Sequence, residues 1–323
     1  MMKSLIVLAA LLAVAGTQQV QAQAFPNRAM RVISTVPPGS APDVVARTVA
    51  QRLSANTGVP VTVDNRTGAG GLIGANTAGS AAPDGYTMLL ADTGIFAILP
   101  HEHSSFDPLK SLVPVTSAGT TPLFLAVGAG LNAGSVAELI AAAKAKPGMP
   151  YGSGGNGGAA HLFMELFKSL AGIDMTHVPY KGVAPAVAAV VAGEVVAVFS
   201  GLNLLVPQEK AGKLRIIAVA SQTRTGLMPA LPTVAEAGLP GFNIKTLTLG
   251  FFVPAGTPQD IVNKLRTDLT AAVKAPDVRQ RLNTLAVEEP TDFSQEYLTE
   301  IVRSELAQYG NLVKAANAAA AKK

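Results

Sequence analysis

A strand that runs out into Pro37, Pro38, Gly39 and Ser40, with Asp43 three residues on, is the first place in this chain where residue types and spacing could do chemistry. The β-branched run over 32–36 predicts a buried strand. The prolines and glycine break it, and Ser40-x-x-Asp43 predicts a capping box with Pro42 in the first helical turn. Such a junction leaves backbone N–H groups and the positive end of a helix dipole facing the crevice beyond the strand. That chemistry suits a small anion. Thr93 and Gly94 end a later β run at a second such loop. Further on, a glycine-rich run over 152–158 holds Ser153, Gly154 and Asn156, and leads into a helix with His161 in its first turn. Tyr180 and Lys181 follow a strand ending near His177; they either form a solvated turn or bring a phenol and an ammonium to the crevice, where they could meet an anion.

Rival chemistries share these residues. Gly152, Gly154 and Gly157 match G-x-G-x-x-G, with Asp174 roughly 20 residues on as a dinucleotide fingerprint requires. The strand before them is short and interrupted by Pro150, so a loop whose N–H groups hold a ligand carboxylate fits better. Ser153 with His161 suggests a nucleophile and a base. No G-x-S-x-G elbow surrounds the serine and no acidic partner for the histidine is apparent, which leaves His161 as a hydrogen-bond donor to a ligand or a helix cap. His101, Glu102 and His103 could ligate a metal on a strand, where alternate residues share a face, but between Pro100 and Ser104 they read as an exposed loop. Neither a metal nor a cofactor is expected.

The elements that must position these groups begin after a leader. Lys3, an apolar run over 5–15 and small-x-small sites ending at Ala22 and Ala24 predict a secretory signal peptide over 1–24, and no later apolar run is long enough to span a bilayer. The absence of cysteine excludes disulfides, thiolate metal sites, a catalytic thiol and a lipid anchor at the cleavage site. Charged residues make up 14%, and loss of Lys3 lowers the formal charge from +4 to +3, a scattered excess. With 5% aromatics and no Trp, this discounts nucleic-acid binding.

Roughly 300 remaining residues suffice for two cores. A helix with Val45, Val49 and Leu53 in its stripe, strands over 59–63 and 86–91, and a helix over 72–82 form a first α/β unit. In the second, strands over 175–178, 195–199 and 214–220 alternate with helices over 184–192 and 204–211. The helix after the glycine-rich run has Leu162, Phe163, Leu166, Phe167 and Leu170 on one face, and His161, Glu165 and Lys168 on the other. Extended segments over 113–127 and 246–253 would carry the chain out and back, and helices over 257–274, 277–285 and 293–316 close it. Two α/β domains joined by two extended crossings, with a ligand cleft between them, are the expected architecture. Residues 25–122 with 246–323 would make the first domain, and 123–245 the second.

The segments 30–43, 64–75, 83–87, 177–182 and 255–258, together with Ala160-His161-Leu162, Glu165-Leu166-Phe167, Leu231-Pro232-Thr233-Val234 and Glu236-Ala237-Gly238, resemble the Bug family. These are the extracytoplasmic solute receptors of tripartite tricarboxylate transporters. The ordered set covers the whole mature chain. The resemblance implies a type II periplasmic binding protein whose two domains close on one ligand, usually an organic acid. By the same resemblance, a ligand carboxylate is held by backbone groups and ordered waters at the loop matching Pro38, Gly39 and Ser40, and at the loop matching Thr93 and Gly94. The distal part of the ligand then meets positions matching Ser153, Gly154, Asn156, His161 and Ser200.

Three positions depart from the family's pattern. Ser40 stands where a second glycine is usual, Ser200 where many relatives carry an acid, and Leu247-Thr248-Leu249 lacks an aromatic often found just before the glycine matching Gly250. A cationic group on the ligand would lose a partner at Ser200, and the wall near Gly250 is less able to stack a ring. The expectation is a periplasmic, monomeric receptor that passes a small mono- or dicarboxylate to integral-membrane transporter subunits, without binding nucleic acid. A periplasmic sensor for a signalling partner has the same fold and stays open as an alternative. A secreted hydrolase and a nucleotide-dependent enzyme are the remaining alternatives.

Overall fold

The computed structural model describes residues 25–320 apart from Ser104 and Lys245, so the leader expected over 1–24 lies outside the described residues. Two five-stranded mixed sheets organise the chain. The first contains β1 (Met30–Ser34), β2 (Val61–Asn65), β3 (Thr87–Asp92), β4 (Leu112–Thr121) and β10 (Leu247–Pro254), in the order β2-β1-β3-β10-β4. The second contains β5 (Leu123–Gly128), β6 (Met149–Ser153), β7 (Met175–Pro179), β8 (Ala197–Ser200) and β9 (Leu214–Ala220), in the order β7-β6-β8-β5-β9. The predicted extended segments are thus the crossings, β4 into β5 on the way out and β10 on the way back.

Register fixes which strand ends face each other. β1 and β2 run parallel, as do β1 and β3, whereas β10 is antiparallel to both β3 and β4. The C-terminal ends of β1 and β3 therefore point the same way as that of β4, toward the second lobe. In the second sheet β5 leaves the crossing antiparallel to β8, pairing Phe124 with Ser200, and β6 is parallel to both β7 and β8. The C-terminal ends of β6, β7 and β8 consequently turn back toward the first lobe. The loops after β1, β3 and β6 leave strand ends that face this gap.

The flanking helices follow the predicted patterns with local differences. Helix α1 (Ala41–Thr57) buries Val45, Val49 and Leu53 against Val32 and Met30 of β1. Helix α2 stops at Gly79 (Leu72–Gly79), short of the expected 82, where the chain packs on Ser111 of the short helix α4 (Pro108–Ser111). A π-helical turn (Gly94–Ile98) runs into α3 (Leu99–Glu102), so His101 and Glu102 end a helical turn rather than sit in a loop. In the second lobe α5 (Val136–Ala145) begins with the Ser135 hydroxyl accepting the Glu138 N–H; α6 (Ala159–Ala171), α7 (Val183–Ala192) and α8 (Leu202–Lys210) follow. The chain ends with α9 (Gln259–Lys274), α10 (Pro276–Asn283) and α11 (Gln295–Ala320).

Helix α11 joins the lobes. Its Val302, Tyr309 and Val313 share one buried apolar cluster with Ile33 and Leu89 of the first sheet and with Phe163, Phe199 and Phe242 of the second lobe. The Phe163 ring meets Phe199 edge-on at 5.8 Å and stacks near Tyr309 at 6.4 Å. On the same helix Glu305 is buried, and its carboxylate accepts the Thr93 hydroxyl at 2.7 Å and the Thr248 hydroxyl at 3.1 Å, while the Thr93 hydroxyl oxygen also accepts the Thr248 N–H at 2.9 Å. Removing this carboxylate would orphan two buried hydroxyls and leave a void. Glu305→Ala should lower unfolding stability by about 3 kcal/mol, read from the urea midpoint.

Candidate functional site

On the first-lobe side, the loop after β1 spends part of its polar capacity on itself. The predicted capping box does not form: the Ser40 side chain makes no cap bond to the helix and instead donates to the Pro37 carbonyl at 2.7 Å. The acid of the pair is buried and engaged elsewhere. Asp43 accepts the Gly39 N–H at 2.8 Å, Arg47 Nε at 3.0 Å and Asn65 Nδ2 at 2.7 Å. Gly39 reaches this bond with φ of 82°, a left-handed conformation that glycine adopts without steric cost. Burial pushes the Asp43 pKa up, but the bonds from Arg47, Asn65 and Gly39 outweigh it and hold the carboxyl below its ordinary range.

The Ser40 N–H in turn donates to the Pro37 carbonyl at 3.3 Å. Beyond Pro42, which has no N–H, the donors that helix geometry leaves to the gap are therefore Ala41 and Asp43 N–H. Pro38 and Gly39 form the exposed lip above them.

At the end of β3, Thr93 is buried in the Glu305 junction. Asp92, which sequence reasoning passed over, caps the π turn: its carboxylate accepts the Ile95 N–H at 3.2 Å and the Gly94 N–H. Burial raises the Asp92 pKa against these bonds.

Across the gap, Ser153 ends β6 fully buried. Its hydroxyl donates to the Gly155 carbonyl at 2.9 Å, so it accepts from His177 Nε2 at 2.6 Å, which fixes His177 as the Nε2–H tautomer. The Nδ1 atom of His161 accepts the Gly157 N–H at 3.1 Å, which makes it an Nε2–H tautomer as well. The two imidazoles stack at 4.0 Å, and Tyr151 stacks on the other side of His177 at 5.0 Å.

Beneath them Glu165 accepts from the Tyr151 hydroxyl at 2.5 Å and from Lys168 Nζ at 2.6 Å, and lies 4.0 Å from His161 Nε2. The polar face of α6 thus packs inward on β6 and β7, while Leu170 of the predicted apolar face is left exposed. Burial lowers the His161 pKa. Burial, with the neighbouring His161, lowers that of His177 to about 4. Burial raises Glu165, but the bonds from Lys168 and Tyr151 win and hold it low.

The remaining residues are dispersed around this network. Asn156 is exposed on the glycine-rich loop, and Gly154 packs against Val183. Ser200 ends β8 fully buried, and its hydroxyl has no partner among the described residues. Lys181 is exposed; the Tyr180 N–H donates to the Ser153 carbonyl at 3.0 Å, which holds the residue beside the glycine-rich loop, while its hydroxyl donates to Glu194 at 3.3 Å.

Glu102 bridges the gap from the first lobe. The Glu102 carboxylate closes over Gly157, where a Cβ would sit 1.4 Å from Oε1, and the Gly157 φ of +72° lies in the left-handed region that favours glycine. In the same His101-Glu102-His103 run, His101 Nε2 lies 2.8 Å from the Leu306 carbonyl of α11.

Known proteins match this chain along most of its length. Residues 45–318 fit the model of the tripartite tricarboxylate transporter family receptor. Protein BugT of Bordetella pertussis is 34% identical over 285 residues, covering 86% of each chain. Among solved structures, Rpa4515 of R. palustris with adipate has TM-score 0.83 at 32% identity, covering 91% of this chain and 98% of its own. MatC (Rpa3494) of Rhodopseudomonas palustris with bound malate has TM-score 0.80 at 28% identity, covering 90% of this chain and 100% of its own.

The half-buried histidines set a pH dependence. Below about pH 6.5 the unfolded chain takes up a proton at His177 that the folded chain refuses until about pH 4, so stability falls as pH falls through that window. His161 acts with the same sign, and Asp43 and Glu165 lose their contributions only in more acid solution. The thermal midpoint should drop across this range, and His177→Gln should make the drop shallower.

Proposed function

The chain belongs to the tripartite tricarboxylate transporter receptor family, and we propose on that premise that it captures a small organic mono- or dicarboxylate in the periplasm and delivers it to membrane transporter subunits. The observation that carries this reading is that two similar chains of the same fold hold dicarboxylates, adipate and malate. The geometry supports it. A carboxylate between the lobes meets the N-terminal N–H groups of α1 on one side and the glycine-rich loop on the other. The proposed domains divide at 122/123 and 245/246, where the crossings pass.

Binding needs no covalent chemistry. Hydrogen bonds to a charged acceptor strengthen as closure excludes water. Micromolar affinity corresponds to about 8 kcal/mol, within reach of a few such bonds and some buried apolar ligand surface. A closed form that ligand favours lets the transporter distinguish loaded from empty receptor by differential affinity. The signal peptide over 1–24 would export the protein, and among the described residues no helix is long and apolar enough to cross a membrane.

Ser153 has a histidine at hydrogen-bond distance, but the serine is fully buried and donates its proton to the Gly155 carbonyl, which disfavours a hydrolase. In the dinucleotide alternative, the Gly157 N–H that a pyrophosphate would use donates to His161 instead.

Thermal unfolding of the mature protein against mono-, di- and tricarboxylates, amino acids and aromatic acids should show an upward shift with one acid class, with calorimetry giving one site per chain. A shift with a dinucleotide alone, or turnover of an ester, would overturn the receptor reading. Ser200→Asp adds an anion beside the gap and should weaken dicarboxylate binding by about tenfold while favouring zwitterions; an unchanged preference would remove Ser200 from the site.

A further inference from the structure

A second cavity lies on the other side of the crossings. The sheet orders place β1, β3, β6 and β8 beside the carboxylate cleft, β10 and β5 at the hinge, and β4 and β9 at the opposite edge. At that edge a cavity of about 310 Å³ opens between the lobes. Thr120, Thr248, Glu288 and Glu305 wall it from the first lobe, and the loop carrying Thr223 and Thr225 walls it from the second. The Thr225 hydroxyl donates to Glu288 across the boundary. An occupant would touch both lobes.

The lining chemistry selects the occupant. It is rich in hydroxyl oxygens, and its acidic and basic side chains are Glu288, Glu305 and Arg224. The guanidinium, Arg224, is already matched: its Nε donates to Glu236 at 2.8 Å. Glu305 is buried among threonine hydroxyls, and among the described residues the Glu288 side chain accepts from Thr225 while its backbone pairs with Thr120. An ammonium group carries three donors and a positive charge, and so can satisfy carboxylate and hydroxyl acceptors together. We infer that this hinge cavity is a binding site for a small organic cation of the alkylammonium class, separate from the carboxylate cleft. The inference does not depend on which acid the cleft takes.

Isothermal titration calorimetry of the full mature chain with putrescine, at low ionic strength and without any carboxylate ligand, tests it. One site per chain is expected. Glu288→Gln keeps an acceptor for Thr225 but removes the charge, and should weaken putrescine at least about tenfold. Thr223→Lys, at an exposed position on the cavity wall, should abolish binding by placing a cation there. Glu300→Gln, on the exposed side of α11 where it pairs with Arg303, should leave binding unchanged. Absence of heat, equal binding by glycerol, or equal weakening by Glu288→Gln and Glu300→Gln would overturn the assignment. Failure of the carboxylate screen would leave this result unaffected, so the two conclusions fail separately.

Discussion

The Glu305 carboxylate ties three chain segments that are far apart in sequence: the floor of the cleft at Thr93, the returning crossing at Thr248 and the last helix. A buried carboxylate costs several kcal/mol of lost hydration unless its oxygens are occupied. Here they are occupied by hydroxyls whose positions depend on correct register of β10 against β3 and β4. A slip of one residue would turn Thr248 to the other face of the sheet and leave the acid without that partner. The apolar cluster around Phe163, Phe199 and Tyr309 supplies bulk attraction between the lobes, but it is tolerant of small shifts. The carboxylate is what makes one arrangement of crossings and helix strongly preferred.

Both faces of the gap use groups fixed by their neighbours. On the first lobe, Asp43 takes the Gly39 N–H and anchors Arg47 and Asn65, which leaves the Ala41 and Asp43 N–H groups at the helix start pointing at the gap. On the second lobe, a stack of two neutral imidazoles and a tyrosine sits above the Glu165–Lys168 pair, and Ser153 is locked between His177 and Gly155. Little side-chain entropy is left to lose at either face when the lobes meet a ligand.

The parts of this arrangement that sequence made legible are those written in local periodicity and turn chemistry. The β-branched run at 32–36, the stripe Val45, Val49 and Leu53 and the extended crossings all depend on neighbours in sequence, and each appears near its expected place. The capping box expected at Ser40 did not form, because Ser40 found the Pro37 carbonyl and Asp43 found Arg47 and Asn65, contacts that no capping pattern contains. The histidine stack was hidden for the same reason. His177 lies opposite Tyr151 only through the pairing of β6 with β7, and the inward turn of Glu165 and Lys168 is set by that neighbour. The Glu165-x-x-Lys168 spacing was the available signal, and it reads equally as a solvated helix face. Asp92 was overlooked because an acid at a strand end is common; its capping of the π turn is visible only in three dimensions.

The order of the chain through the sheets bears on how the molecule is made. The second sheet is built from one contiguous stretch, β5 to β9, whereas the first lacks β10, the strand between β3 and β4, until residues 247–254 are present. Its buried acid and hinge contacts wait longer still, for α11. A polypeptide delivered N-terminus first therefore holds its first-lobe strands without a completed sheet until residues 247–254 have emerged. The first-lobe strands expose unpaired edges throughout that interval, the state in which a chain is both threadable and vulnerable to association. Late closure by a distant strand makes assembly slow, and it keeps the early segment pliable until that strand arrives.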